Sequence, residues 1–134
     1  MLFGQEHVKR YQETDGEVGH DWNGVQTLIL TTTGRKSGEE RSTPLIYGNE
    51  GDNPVVVASK GGAPEPPAWY LNLAEDPDVQ VQVGADRFPA RARTATPDEK
   101  PALWHMMADI WPQYDDYQEK TDREIPVVVL ERQD

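Results

Sequence analysis

Cysteine is absent from this 134-residue chain, which excludes disulfides, thiolate nucleophiles and cysteine-bound metal centres. Long apolar runs are missing as well. No stretch approaches the roughly 20 apolar residues of a membrane-spanning helix, and the first residues hold no signal-peptide core. The expectation is a cytoplasmic protein without a stable membrane anchor. Bases are scarce: 13 Lys and Arg stand against 24 Asp and Glu, a formal charge of -11. Such an excess of acid repels a polyanion at long range, so no nucleic-acid partner is expected. The three histidines, His7, His20 and His105, have spacings that match neither a metal site nor a catalytic triad. No metal is expected.

The few bases that do occur are clustered. Residues 31–60 read TTTGRKSGEERSTPLIYGNEGDNPVVVASK, and they carry Arg35, Lys36, Ser37, Arg41 and Lys60 on turns among glycines and hydroxyls. Between residues 25 and 48 three bases face two acids, so the negative excess lies elsewhere in the chain. Glycines admit close approach to backbone N–H groups, hydroxyls donate, and guanidinium and ammonium groups make charge-assisted bonds. The combination suits a small anion. It also suits a solvated hairpin tip whose bases balance Glu39 and Glu40. A phosphate-binding P-loop is excluded, because Arg35 separates Gly34 from Lys36 and the earlier glycine would fall at Ile29. Neither GxGxxG nor GxSxG occurs.

With 134 residues the chain is expected to form a single domain, 1–134. Residues 3–14 predict a short amphipathic helix with Phe3, His7, Val8 and Tyr11 on one side. Residues 17–24 read as an irregular connection in which His20 is a loop histidine. Residues 25–33 and 41–48 predict a hairpin, and residues 54–59 the next strand. A proline-rich entry leads to a short helix over residues 64–74, closed by Pro77. Val79-Gln80-Val81-Gln82-Val83 alternates as a half-buried strand does, and residues 87–95 continue the sheet, with Pro89 marking an edge or bulge. Thr96 and Glu99 fit a capping box for the longest helix, which Pro112 interrupts. Residues 125–130 (IPVVVL) read as a buried strand. About six mostly antiparallel strands, five in meander-like order, with two to three covering helices make an α+β protein built on a small antiparallel barrel.

Five blocks occur together and in order: LTTTGRKSGEERSTPLIY, VVVASKGGAPEPPAWYLNL, VQVQVG, RARTATPDE and YDDYQEKTDREIPVVVLE. In this combination the chain resembles the deazaflavin (coenzyme F420)-dependent nitroreductase family over roughly residues 15–132. The resemblance implies a split β-barrel of the FMN-binding type whose cofactor is coenzyme F420, an 8-hydroxy-5-deazaflavin with an anionic tail. Carried over by motif, Arg35, Lys36, Ser37, Arg41, Ser42 and Thr43 would hold the phosphate and tail. Pro44, Leu45 and Ile46 would line the ring, Val57, Ala58, Ser59 and Lys60 would complete the cradle, and Ala68, Trp69, Tyr70, Leu71 and Asn72 would close another side. Tyr114 would lie over the ring pocket, with Tyr117 and Trp111 near the substrate. The chain departs from the family pattern at Trp111, where a tyrosine is expected, and at Thr43 and Pro66, where asparagines are expected. It also lacks a longer apolar N-terminal segment.

The activity implied is hydride transfer from reduced coenzyme F420 to an electron-poor small-molecule acceptor such as a quinone, an enone or a nitroaromatic. Tyr114, Tyr117 and Ser59 are the candidate catalytic residues, as proton donors; without the resemblance, core aromatics at a helix end are the preferred reading of the tyrosines. The alternatives are a non-catalytic F420-binding storage protein and a related barrel using FMN or haem, for which only the histidines and methionines could serve as axial ligands. A homodimer is left open.

Overall fold

The computed structural model describes residues 4–134. Among them are eight strands, β1 (Asp21–Trp22), β2 (Val25–Thr33), β3 (Glu40–Ile46), β4 (Gly48–Glu50), β5 (Asn53–Val57), β6 (Asp78–Val83), β7 (Asp86–Thr94) and β8 (Val127–Arg132). Four α-helices accompany them: α1 (Gly4–Glu13), α2 (Ala68–Glu75), α3 (Lys100–Ile110) and α4 (Gln113–Glu119). All strand pairs are antiparallel, and the sheet runs β1-β2-β6-β7-β8-β5-β4 with β3 added on β2. This curled antiparallel sheet with covering helices is the expected split barrel.

Its connectivity differs from the meander expected. After β5 the chain crosses through α2 and returns β6 to the free side of β2, while β5 pairs with the last strand, β8. Period-two patterning marks strands but carries no information about such non-sequential pairs.

The continuous apolar runs have a direct cause. Val56, Val128 and Leu130 face one core with Leu28, Leu30, Val81, Phe88 and, from α2, Trp69 and Leu73. Their neighbours Val55, Val57, Val127 and Val129 face a second core with Leu103 and Met107 of α3 and Tyr114 of α4. Strands buried on both faces lose the polar alternation. A third cluster seats α1 on the sheet through Val8, Tyr11 and Ile29. His7 is buried on the same helix, as expected; Phe3 lies outside the described residues.

Two local expectations change. Gln82 is 5% exposed, not on a wet face, and its amide donates to Gly84 O at 3.0 Å. Pro89 lies on an interior strand, since β7 pairs with both β6 and β8. The β8 ladder ends at Ala90↔Arg132, one residue short of Pro89, so its missing N–H costs no ladder bond there. Pro44 sits on β3, which pairs only with β2 and so has a free edge. The capping box forms reciprocally: Thr96 N–H donates to Glu99 Oε1 at 2.8 Å and Glu99 N–H to Thr96 Oγ1 at 3.4 Å, just ahead of α3.

Candidate functional site

The β2–β3 turn is closed by its own backbone. Gly34 N–H donates to Glu39 O at 2.7 Å, Gly38 N–H donates to Gly34 O at 2.8 Å, and Gly38 takes a left-handed φ of 74°. Ser37 Oγ accepts from Glu39 N–H at 3.1 Å, so this hydroxyl braces the turn. Arg35 is tied to α2: its backbone N–H and its guanidinium both donate to Asn72 Oδ1, at 3.2 and 3.0 Å. These contacts place Arg35, Lys36, Ser37, Arg41, Ser42 and Thr43 around a groove of about 370 Å³ closed by Ala68, Trp69 and Asn72.

The bases on these turns are not equivalent. Arg41 pairs with Glu39 at 3.2 Å, and Lys60 with Glu65 at 3.0 Å, all four side chains being exposed. Among the described residues neither Arg35 nor Lys36 has a carboxylate partner. Exposed ion pairs contribute at most about 1 kcal/mol each, so an incoming phosphate competes with them readily. The balanced-tip reading thus fits Arg41, whereas Arg35 and Lys36 keep charges that no carboxylate among the described residues offsets.

Beside the groove lies a second, mainly apolar cavity of about 500 Å³. Its walls are Thr43, Pro44, Leu45 and Ile46 of β3, Val57 at the end of β5, and Ser59, Lys60 and Gly61 of the following turn. Trp69 closes one side, and Trp111, Tyr114 and Tyr117 another. Thr43 and Trp69 line both spaces, which therefore adjoin each other.

Pro112 supplies the aromatic wall. It ends α3 and begins α4, so Tyr114 is carried out of the α3 axis. Tyr114 is 5% exposed, with its ring 6.3 Å from Trp104 and edge-on to Tyr117 at 6.1 Å. Burial, reinforced by Tyr117, holds its phenol above the ordinary tyrosine range. Trp111 Nε1–H donates to Tyr117 Oη at 3.5 Å. No buried side-chain oxygen or nitrogen among the described residues lacks a partner. Among the described residues the Tyr114 and Ser59 hydroxyls have no hydrogen-bond partner, and both residues line the cavity.

Not every expected residue reaches the cleft. Ala58 is fully buried in the sheet core, Tyr70 turns away to share a hydrogen bond with Thr94 Oγ1 at 3.0 Å, and Leu71 lines neither space. Others arrive without a signal in the sequence. His7, Trp22 and Thr27 wall the ring cavity from α1, β1 and β2. His7 Nε2 lies 2.8 Å from Gly19 O, and Trp22 stands 5.9 Å from Trp111. His20 is held to Tyr47 Oη at 3.0 Å and His105 is exposed on α3. Among the described residues no cluster of His, Asp or Glu has the makings of a metal site, and no helix is long and apolar enough to cross a membrane.

A family model described as F420H(2)-dependent quinone reductase matches residues 3–132. An F420H(2)-dependent quinone reductase of Mycobacterium tuberculosis is 42% identical over 130 residues, 94% of this chain and 87% of that protein. A second, described as a putative F420H(2)-dependent quinone reductase of the same species, is 43% identical over 106 residues, 79% of this chain and 89% of that one. Among solved structures, an F420-H2-dependent reductase superposes with a TM-score of 0.73 at 42% identity, covering 78% of this chain and 93% of its own. Another, described as a domain-swapped dimer, gives a TM-score of 0.77 at 39% identity over 95% and 96% of the two chains. A haem storage protein of Vibrio cholerae shares the fold alone, with a TM-score of 0.61 at 15% identity over 99% of this chain and 92% of its own.

Proposed function

This chain belongs to the F420H(2)-dependent quinone reductase family, and we propose that its two-part cleft binds coenzyme F420 and delivers a hydride to a quinone. One observation carries the reading: an apolar, aromatic-walled cavity adjoins a groove holding two bases without a carboxylate partner among the described residues. A flat ring joined to an anionic tail has that shape and charge. The residues therefore fit the cofactor. Arg35 and Lys36 would hold the tail by charge-assisted bonds, while Pro44, Leu45, Ile46 and Val57 would flank the ring.

When bound, coenzyme F420 supplies the hydride from C5 of its reduced deazaflavin. The protein's part is position, exclusion of water and management of one proton. The apolar β3 wall and Trp69 keep water from the reacting face. Tyr114, a phenol whose pKa burial raises further, is protonated across the physiological range, so its hydroxyl can donate a hydrogen bond to the acceptor oxygen. Tyr117 Oη accepts from Trp111, which leaves its own proton free to point into the cavity. Ser59 is the third donor.

The resemblance to deazaflavin-dependent nitroreductases extends the acceptors to enones and nitroaromatics. A single domain, residues 1–134, working in the cytoplasm is part of the same reading, and a homodimer is compatible with it. The test is a fluorescence titration of the protein with oxidised F420 and, in parallel, FMN, followed by steady-state oxidation of F420H2 by a naphthoquinone. Preference for F420 with turnover supports the proposal. Equal or tighter FMN binding refutes the cofactor assignment, and tight F420 binding without turnover points to storage.

A further inference from the structure

The turn after β5 has an unusual backbone and a single side chain that holds it. Ser59 lies in the right-handed region (φ -79°, ψ -38°), Lys60 at φ 46°, Gly61 at φ 62° and Gly62 at φ 82°. A left-handed lysine ahead of two left-handed glycines is strained and persists only if the surroundings impose it. Arg123 imposes it. Its guanidinium donates to Ala58 O at 3.2 Å, Ser59 O at 2.8 Å and Ala63 O at 3.0 Å. Arg123 itself is fixed through Gln118, whose amide donates to Arg123 O at 2.8 Å and accepts from Ile125 N–H at 2.9 Å.

The consequence follows from peptide geometry. No cis peptide occurs among the described residues, so each N–H points opposite the carbonyl of the preceding residue. With the carbonyls of Ala58 and Ser59 drawn to Arg123, the N–H groups of Ser59 and Lys60 point away from it. Ser59, Lys60 and Gly61 line the apolar cavity, and none of their N–H groups has a hydrogen-bond partner among the described residues. A right-handed residue followed by a left-handed one makes successive N–H groups converge on an anion-binding concavity. The hydroxyl of Ser59, a residue 9% exposed, has no hydrogen-bond partner among the described residues and opens into the same space.

We propose that Arg123 is a positioning residue whose clamp on Ala58 O and Ser59 O turns the Ser59 and Lys60 amides, beside that of Gly61, into a preformed pocket for a negatively polarised carbonyl oxygen of a bound ring. This rests on the reading of the cleft as a deazaflavin and quinone site. Both ligands present such oxygens. Hydride transfer moves two electrons and one proton from reduced deazaflavin to the quinone; one quinone oxygen gains negative charge, and a second proton from solvent or a side chain completes the hydroquinone. Donors fixed before the reaction stabilise charge with little reorganisation.

The test combines amide NMR with kinetics on wild type, Arg123→Lys and Arg123→Ala. In wild type, oxidised F420 or a naphthoquinone should shift the Ser59–Gly61 amide signals and slow their exchange. Arg123→Lys keeps the charge but not the planar fork. It should melt within a few degrees of wild type, lose the amide protection and lose tenfold or more in activity. A loss in F420 affinity assigns the oxygen to the cofactor; a loss in kcat/KM at saturating F420H2 assigns it to the acceptor. Guanidinium added to Arg123→Ala should restore part of the lost function. Failure of wild type to bind or turn over F420 would refute the reading of the site. Normal turnover with unshifted amides, or variants that only melt early at unchanged activity per folded molecule, would overturn the inference while leaving that reading intact.

Discussion

Arg35 and Asn72 meet at one atom: the arginine backbone N–H and its guanidinium both end on Asn72 Oδ1, at 3.2 and 3.0 Å. Asn72 is 4% exposed and its amide donates on to Thr32 Oγ1 at 3.2 Å. The β2–β3 turn is thereby locked to α2, and Arg35, proposed above to hold the tail, is oriented by a buried amide. Asn72→Ala should remove this link. Each net hydrogen bond is worth about 0.5–1.5 kcal/mol, so Tm should fall by several degrees and F420 affinity should drop severalfold. Calorimetry and a fluorescence titration check both outcomes.

The charge assignment gives a second prediction. Arg35→Ala with Lys36→Ala should weaken F420 binding by a few kcal/mol, charge-assisted contacts being worth roughly 1.5–3 kcal/mol each. Added salt should narrow the gap from wild type, because both residues are exposed. Arg41→Ala should cost less, since Arg41 already shares its charge with Glu39. An unchanged affinity in the double variant would return the turn to a solvated hairpin tip.

Tyr114 and Tyr117 should separate by chemistry and packing. Tyr114→Ala leaves a cavity against Trp104 and Tyr117 and should cost about 3–5 kcal/mol of stability, as large aromatic truncations in cores do. The Phe variants keep the ring. They should fold and bind F420 but lose about tenfold in kcat/KM for quinone, equivalent to about 1.4 kcal/mol. Phe variants with wild-type turnover would make both residues purely structural.

Alkaline pH should expose the buried phenols. Burial pushes Tyr11 up to about 12, although its hydroxyl accepts Gly84 N–H. A phenol with a raised native pKa keeps its proton longer when folded. The native state therefore binds more protons than the unfolded chain from about pH 10 upward, and its stabilising contribution, intact below pH 10, declines as pH climbs to 12. The slope approaches about 1.4 kcal/mol per pH unit for each such group. Urea midpoints at pH 9, 10 and 11 should fall progressively, and Tyr11→Phe should fall less steeply.

Gly62 has no room for a side chain. A Cβ there would stand 2.6 Å from Tyr117 O and 3.1 Å from Lys120 Cβ, at a φ of 82°. Gly62→Ala should push α4 off the turn, lower Tm and weaken acceptor binding together. Gly61→Ala meets nothing within 4 Å and should cost only the backbone strain of a left-handed alanine, about 1 kcal/mol.

Local chemistry was readable from the residues themselves. Two apolar valine runs had to be buried strands, Thr96 and Glu99 had to cap a helix, Pro112 had to break one, and GRKSG had to form a turn offering bases and N–H groups. Each depends on neighbours within a few positions, where sterics and hydrogen bonding decide the outcome. Which of those bases stay unpaired was decided in three dimensions, by Glu39 reaching Arg41 and Glu65 reaching Lys60. The return of β6 to β2, the arrival of His7 and Trp22 at the ring cavity, and the reach of Arg123 across 64 residues to Ser59 O leave no periodic trace in the chain. Such contacts join segments with no shared pattern, so only packing of the whole sheet brings them together.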